Sequence, residues 1–121
     1  MKKYNKDIGN YGEDLASSYL INKGYKIIDR NFSNRFGEID IICSKEDILI
    51  FVEVKSRYNK TFGLGIDSIS YSKVKNIKKL TKYCLLTNKF NDYFIRFDVI
   101  EVYLNYNNSS NKIIHTKDAF R

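Results

Sequence analysis

Gly37-Glu38-Ile39-Asp40-Ile41-Ile42 and Ile50-Phe51-Val52-Glu53-Val54-Lys55 are the two stretches whose reading decides the fold. Both are rich in β-branched and aromatic residues, as strands are. A strand facing a core alternates apolar and polar residues, or is apolar throughout. Glu53 and Lys55 interrupt one of the most apolar runs in the chain. Being two apart, they project from the same face of their strand. Ser44-Lys45-Glu46-Asp47 between the two runs reads as a hairpin turn. A turn of two or four residues pairs Ser44 with Asp47 or Cys43 with Ile48, which is one register. Position 40 then faces 51, and 38 faces 53. Asp40, Glu53 and Lys55 fall on one face with Glu38 beside them, and Asp40 and Glu53 are diagonal neighbours about 7–8 Å apart. A turn of odd length would put them on opposite faces.

Two carboxylates and a lysine so placed suit phosphodiester hydrolysis. Hard oxygen ligands fit Mg²⁺ (or Mn²⁺), which retains waters for substrate and nucleophile. Such an ion polarises the phosphoryl oxygen and acidifies a bound water. The lysine orients that water or stabilises charge in the transition state. The plainer reading is an exposed strand face carrying a Glu–Lys pair, which Asp40 at the right pairing position makes less economical.

Outward from this pair of strands, helical spacing of Ile8, Tyr11, Leu15, Ala16, Tyr19 and Leu20 predicts a first helix from about Lys6 to Lys23. Gly24 is its C-terminal cap. Glu13 falls at the edge of the apolar face, and Asp14 on the solvated side. Tyr25 to Arg30, Phe36 to Cys43 and Ile48 to Ser56 follow as three strands, or two if the first is irregular. A loop with Gly63 and Gly65 leads to a second helix over roughly Ser72 to Thr87, capped by Ser70 or Ser72. Val74, Ile77, Leu80, Cys84 and Leu85 form its apolar stripe; Lys75, Lys78, Lys79 and Lys82 lie outside it. Lys73 sits in the apolar sector near the helix start, either to contact a phosphate or to snorkel to solvent. Strands over Tyr93 to Tyr103 and Lys112 to Thr116 complete the order αβββαββ, with a polar loop from Asn105 to Asn111 between them. The fold class is α/β, a mixed sheet with flanking helices.

With 121 residues, 43% of them hydrophobic, the chain suits one domain with one core. Its net charge of +7 favours polyanionic partners. Cys43 and Cys84 lack CxxC spacing, which argues against a zinc or redox motif and for two buried free thiols. Met1-Lys2-Lys3 leads into polar residues, and no run is apolar enough for a signal peptide or membrane span. The protein is expected to be cytoplasmic, with no membrane partner. His115 is the only histidine and is read as non-catalytic; Asp98 is read as structural, pairing with Arg96 or capping a turn.

Gly9-Asn10-Tyr11-Gly12-Glu13-Asp14-Leu15-Ala16, Gly37-Glu38-Ile39-Asp40, Phe51-Val52-Glu53-Val54-Lys55-Ser56-Arg57, Lys73, Arg96-Phe97-Asp98-Val99 and Ala119-Phe120 together resemble the YraN-like family of uncharacterised bacterial proteins. These are held to be distant relatives of archaeal Holliday junction resolvases in the PD-(D/E)xK nuclease superfamily. The resemblance covers nearly the whole chain. It implies a restriction-endonuclease-like fold and a single nuclease-like domain over residues 1–121. It implies an endonuclease acting on DNA more than RNA, on branched or otherwise structured substrates, with Mg²⁺ or Mn²⁺. Asp40 and Glu53 would be metal-binding acids and Lys55 the catalytic lysine, with Ile39 where the superfamily name has proline. The Val54 carbonyl would complete the metal shell, and Glu13 would position the metal or its water. Homodimerisation is a further implication. Arg30, Arg35 and Arg57 cluster about the strand ends and, with Lys73, either line a nucleic-acid groove or serve surface solubility. Glu38 is either an acid behind the ligands or the exposed partner of a basic residue. The alternative function is a non-catalytic nucleic-acid-binding module.

Overall fold

The structure, a computed structural model, describes residues 2–35, 37–58, 71–87, 93–104 and 111–120. The elements along the chain are α1 (Lys2–Asn22), β1 (Lys26–Asn34), β2 (Gly37–Lys45), β3 (Ile48–Tyr58), α2 (Tyr71–Thr87), β4 (Phe94–Leu104) and β5 (Lys112–Thr116). The expected Gly63–Gly65 loop, the Ser70 cap, the packing of Ile8, Phe36 and most of the polar loop after residue 104 lie outside the described residues.

Five strands form one sheet in the order β1-β2-β3-β4-β5. β3 and β4 are parallel and every other pair is antiparallel. The parallel pair requires a crossover, which α2 provides. α1 and α2 cover opposite faces. On one, Ala16 and Leu20 pack with Ile41, Cys43, Ile50, Val52, Ile100 and Val102. On the other, Leu80 and Cys84 pack with Ile39, Ile42, Leu49 and Phe51. Both cysteines are buried and free. α1 ends where Gly24 takes φ +93°. There the Tyr25 N–H donates to the Leu20 carbonyl at 2.9 Å and the Gly24 N–H to that of Ile21 at 3.0 Å. These two bonds satisfy carbonyls that the helix leaves open.

The strands differ from the sequence reading in two respects. β1 continues to Asn34, paired with β2 throughout, with an irregularity between Ile27 and Asp29. The β2–β3 register is also displaced. The turn is two residues, Glu46 and Asp47, and the ladder begins at Lys45↔Ile48. Ser44 therefore pairs with Leu49 and Cys43 with Ile50, each two residues beyond the expected partner. Glu46 takes φ +56°, which permits this tight turn without glycine. Parity is preserved because the turn length is even, so the core face stays the core face.

Beyond the sheet, Asp98 anchors a buried polar network. Its carboxylate accepts from Arg96 Nε at 2.8 Å and Nη2 at 2.9 Å, and from the Asp118 N–H at 3.0 Å. His115 Nε2 lies 2.7 Å away, and the other imidazole nitrogen is 3.3 Å from the Tyr19 hydroxyl. Asp98 thus ties β4 to β5, α1 and the C-terminal turn. Burial pushes its pKa up, but these donors outweigh burial and hold it below the usual carboxylate value. The expected Arg96 pairing is present, and His115 belongs to this structural network.

Candidate active site

The β2–β3 ladder stops at Ile41↔Val52 among the described residues. β3 continues to Tyr58 beside β4, while β2 continues as a two-stranded ribbon with β1. Two-stranded ribbons twist more than wider sheets. Here the twist has a local cause. Asn31, opposite Asp40 in the ribbon, takes φ +55°, a left-handed conformation that asparagine tolerates better than most residues. The consequence is visible in the packing. Ile41 joins the α1-side core, whereas Ile39, two residues away, joins the α2-side core. Asp40 sits at the fork between the parting strands.

Asp40 is level with Glu53, not with Phe51 as the sequence register has it. Its carboxylate accepts a 2.8 Å hydrogen bond from the Val54 N–H, a donor left open where β2 departs. The side chain therefore lies in the gap between the strands and not on the α2 face alone. Asp40 is 9% exposed and Glu53 5%. Burial, together with a hydrogen bond to the Glu53 carboxyl and repulsion from it, pushes the Asp40 pKa up to about 8. The Val54 N–H and Lys73 offset this only in part. Asp40 thus holds a proton at neutral pH when no cation is bound.

Glu13 and Glu38 approach the same point. One carboxylate oxygen from each of Glu13, Glu38 and Asp40 lies within 4.8 Å of the other two. Glu13 reaches inward because α1 packs closely on β3 at Gly12. A Cβ on Gly12 would collide with Ser56 Oγ and come within 2.9 Å of Ser56 Cβ. Burial, then Asp40, raise the Glu13 pKa, against Arg30 and a hydrogen bond from Asn31. The buried Oε1 of Glu13 has no hydrogen-bond partner among the described residues. Arg30 Nη2 lies 3.7 Å from it and 2.9 Å from Asp14.

Lys73, from the first turn of α2, places its ammonium 2.8 Å from Glu53 Oε2. Burial pulls its pKa down, but Glu53, Asp40 and Glu38 together raise it above the ordinary value. Lys55, half-buried, projects from the same face of β3 as Glu53, two residues on. A cleft of about 370 Å³ opens beside this group, lined by Gly37, Glu38, Ser72, Lys73, Asn76 and Ile77.

The donor set fits a hard divalent cation. It is all carboxylate, it is buried enough to force protonation without a counter-charge, and it contains an oxygen lacking a hydrogen bond. Glu13, Glu38 and Asp40, whose carboxylate oxygens lie within 4.8 Å of one another, together with Glu53, which reaches them through Asp40, are the residues that would hold such an ion.

The profile of the uncharacterised protein family UPF0102 matches residues 12–102. The chain belongs to that family. It is 58% identical over 121 residues to a UPF0102 protein of Clostridium botulinum (strain Eklund 17B), spanning 100% of this chain and 99% of that one. A UPF0102 protein of Clostridium perfringens (strain 13) is 48% identical over 121 residues, with 100% and 99% covered. One from Clostridioides difficile (strain 630) is 47% identical over 116 residues, with 96% and 98% covered.

In this UPF0102 chain, the sequence-predicted Glu13, Asp40 and Glu53 come together from three elements, and Lys55 is adjacent on β3. Glu38 is part of the acidic group. Lys73 pairs with Glu53 at 2.8 Å while its side chain stays partly exposed. Arg30 pairs with Asp14 at 2.9 Å and lies 3.7 Å from Glu13, linking β1 to α1. Arg35 is exposed at the end of the β1–β2 ribbon. Arg57 lies on the Lys55 side of β3, beside Tyr103, with a buried Nε. Sequence reasoning missed Gly12 and Asn31. Gly12 stands directly before the candidate acid, where a glycine inside a helical pattern is itself a signal of close approach. Asn31 gave no comparable signal, because nothing in a strand pattern announces a left-handed residue. No helix among the described residues is long and apolar enough to cross a membrane.

Proposed function

We propose that the chain is a metal-dependent endonuclease that hydrolyses phosphodiester bonds in DNA, with a restriction-endonuclease-like fold. One observation carries this reading. Asp40 and Glu53 are buried against each other at a strand fork, and carboxylate oxygens of Glu13 and Glu38 lie within 4.8 Å of one on Asp40. Such a group is stable only with a proton or a cation between its members. Bound Mg²⁺ or Mn²⁺ would supply Lewis acidity to the phosphoryl oxygen and lower the pKa of a bound water. Asp40, Glu53 and Glu13 would hold the ion. Glu13 Oε1, lacking a donor of its own, accepts a hydrogen bond from the attacking water. Lys55 donates to the phosphoryl oxygen on which negative charge accumulates, and stabilises it in a site of low polarity. The water gives its proton to Glu13 as its oxygen forms the new bond to phosphorus, the bond from phosphorus to the sugar oxygen breaks, and that oxygen takes a proton from solvent water.

A second reading has its own observation. The Lys73 ammonium already neutralises Glu53 at 2.8 Å. A protein that binds nucleic acid without cutting it could balance its acids in this way. Incubating the purified protein with supercoiled, linear and four-way-junction DNA in Mg²⁺, Mn²⁺ or EDTA separates the two. The nuclease reading expects cleavage that needs the metal and vanishes in Lys55→Ala and Asp40→Asn. Salt-sensitive binding with no cleavage in any metal supports the second reading.

A further inference from the structure

α2 carries five lysines, at 73, 75, 78, 79 and 82, and no acidic residue between Tyr71 and Thr87. Its lysines account for most of the charge of the molecule. The rest of the chain has 16 basic residues against 14 acidic, close to neutral. Lys75, Lys78, Lys79 and Lys82 are exposed and occupy an arc of about 100° at 100° per residue, opposite the buried Ile77, Leu80 and Cys84.

This arrangement works against the helix itself. Lys75 and Lys79, and Lys78 and Lys82, are four apart; Lys75 and Lys78, and Lys79 and Lys82, are three apart. Like charges at these spacings repel. Lys73 and Lys75 stand near the N-terminus, where the helix dipole disfavours cations, and neither the first turn has an acid nor the last turn a base. A merely solvated face mixes both signs. A polyanion lying along the face would relieve each of these repulsions.

The surface is also continuous with the candidate active site. Lys73 contacts Glu53, and Asn76 and Ser72 line the cleft beside it. Around the helix from Lys73 come Asn76, Ser72, Lys79 and Lys75 in turn, so polar side chains lead from the acids to the lysine face. Lys75 to Lys82 spans about 10 Å, the length of roughly three nucleotides of duplex.

We infer that the outward face of α2 is a docking surface for the sugar-phosphate backbone of DNA, delivering it across Lys73 to the acidic fork. The inference rests on the proposed nuclease reading for the identity of its occupant. It adds Lys75, Lys79 and Lys82 as the residues that set affinity.

Fluorescence anisotropy with a short labelled duplex in EDTA, where no cleavage occurs, tests it across a series of salt concentrations. The variant is Lys75→Gln with Lys79→Gln and Lys82→Gln. The control, Lys26→Gln with Lys112→Gln and Lys117→Gln, removes the same charge from exposed positions outside α2. The α2 variant is expected to bind at least tenfold more weakly at about 100 mM salt, with a salt slope lower by roughly 2 to 3, since each phosphate contact contributes about 0.9. The control stays near wild type, and arginine at positions 75, 79 and 82 restores binding. Circular dichroism of each variant reads its fold, and the arginine variant decides the matter should the glutamine variant lose helix. Wild-type affinity and slope in the α2 variant, equal losses in the control, or no duplex binding by the wild type would overturn the inference. Its failure is separable from failure of the nuclease reading. Binding that depends on α2 without cleavage in Mg²⁺ or Mn²⁺ keeps the docking surface and removes the nuclease. Cleavage that the α2 variant performs at the wild-type rate at low DNA concentration does the reverse.

Discussion

Asp40 keeps a proton in the folded protein that it gives up when unfolded, because burial and the neighbouring Glu53 carboxyl oppose its charge. Its folded pKa, near 8, stands above its ordinary 3.8. Between these values the folded state binds the extra proton, so stability falls as pH rises. Urea denaturation of the metal-free protein is expected to show stability falling as pH rises above the ordinary carboxylate range. Asp40→Asn should flatten the slope and make the metal-free protein more stable than wild type at pH 8. Asn31 acts through its backbone as well as its side chain. Glycine there retains φ +55° and the bend but loses the hydrogen bond to Glu13, whereas valine strains the chain. Asn31→Val is expected to cost about 1–3 kcal/mol and Asn31→Gly less, measured as shifts in the urea midpoint.

Where α1 meets β3, a single missing Cβ sets the distance between two elements. Alanine at position 12 would gain about 1 kcal/mol of helix propensity. It would also collide with Ser56 Oγ and lie 2.9 Å from Ser56 Cβ, and overpacking of this kind costs about 1–3 kcal/mol. Gly12→Ala is therefore expected to lower the melting temperature in the wild-type background and to raise it in a Ser56→Gly background. A sign reversal between the two, read by differential scanning calorimetry, is the signature of close packing. On the other side of the sheet, Asp98 holds β4, β5 and the C-terminal turn through four donors. Its folded pKa lies below its ordinary value, so its contribution is present above about pH 4 and is lost as pH falls through the folded value. Asp98→Ala leaves the half-buried Arg96 and the buried His115 without their carboxylate and is expected to cost about 3–5 kcal/mol at neutral pH, read by urea denaturation. At the scale of elements the sequence was most legible. Helical spacing, Gly24 and the even turn between β2 and β3 were enough to place both helices and the central hairpin. The turn slid by one residue because Glu46 adopts a left-handed φ that no glycine or asparagine signalled.

Across the whole molecule, the acids at the strand fork and the lysines of α2 form adjacent fields of opposite sign. Glu53 was legible because it broke an apolar run, Asp40 because the expected register put it on the same face, and Glu13 only through the family resemblance. The linkage between the fields was not. Whether Lys73 turns toward Glu53 or toward solvent depends on how α2 docks against β2 and β3, which no local pattern encodes. The Asp98 network was half-hidden for a similar reason. Arg96 is two residues away, but His115, Asp118 and Tyr19 come from distant parts of the chain. The proposed function requires that a cation can seat among Asp40, Glu53 and Glu13, and crystals grown in Mn²⁺ report on that seat directly. The expected result is an anomalous scattering peak ligated by Asp40 and Glu53, with Lys73 displaced from Glu53. An empty fork at saturating Mn²⁺, with Lys73 still paired to Glu53, would contradict the account.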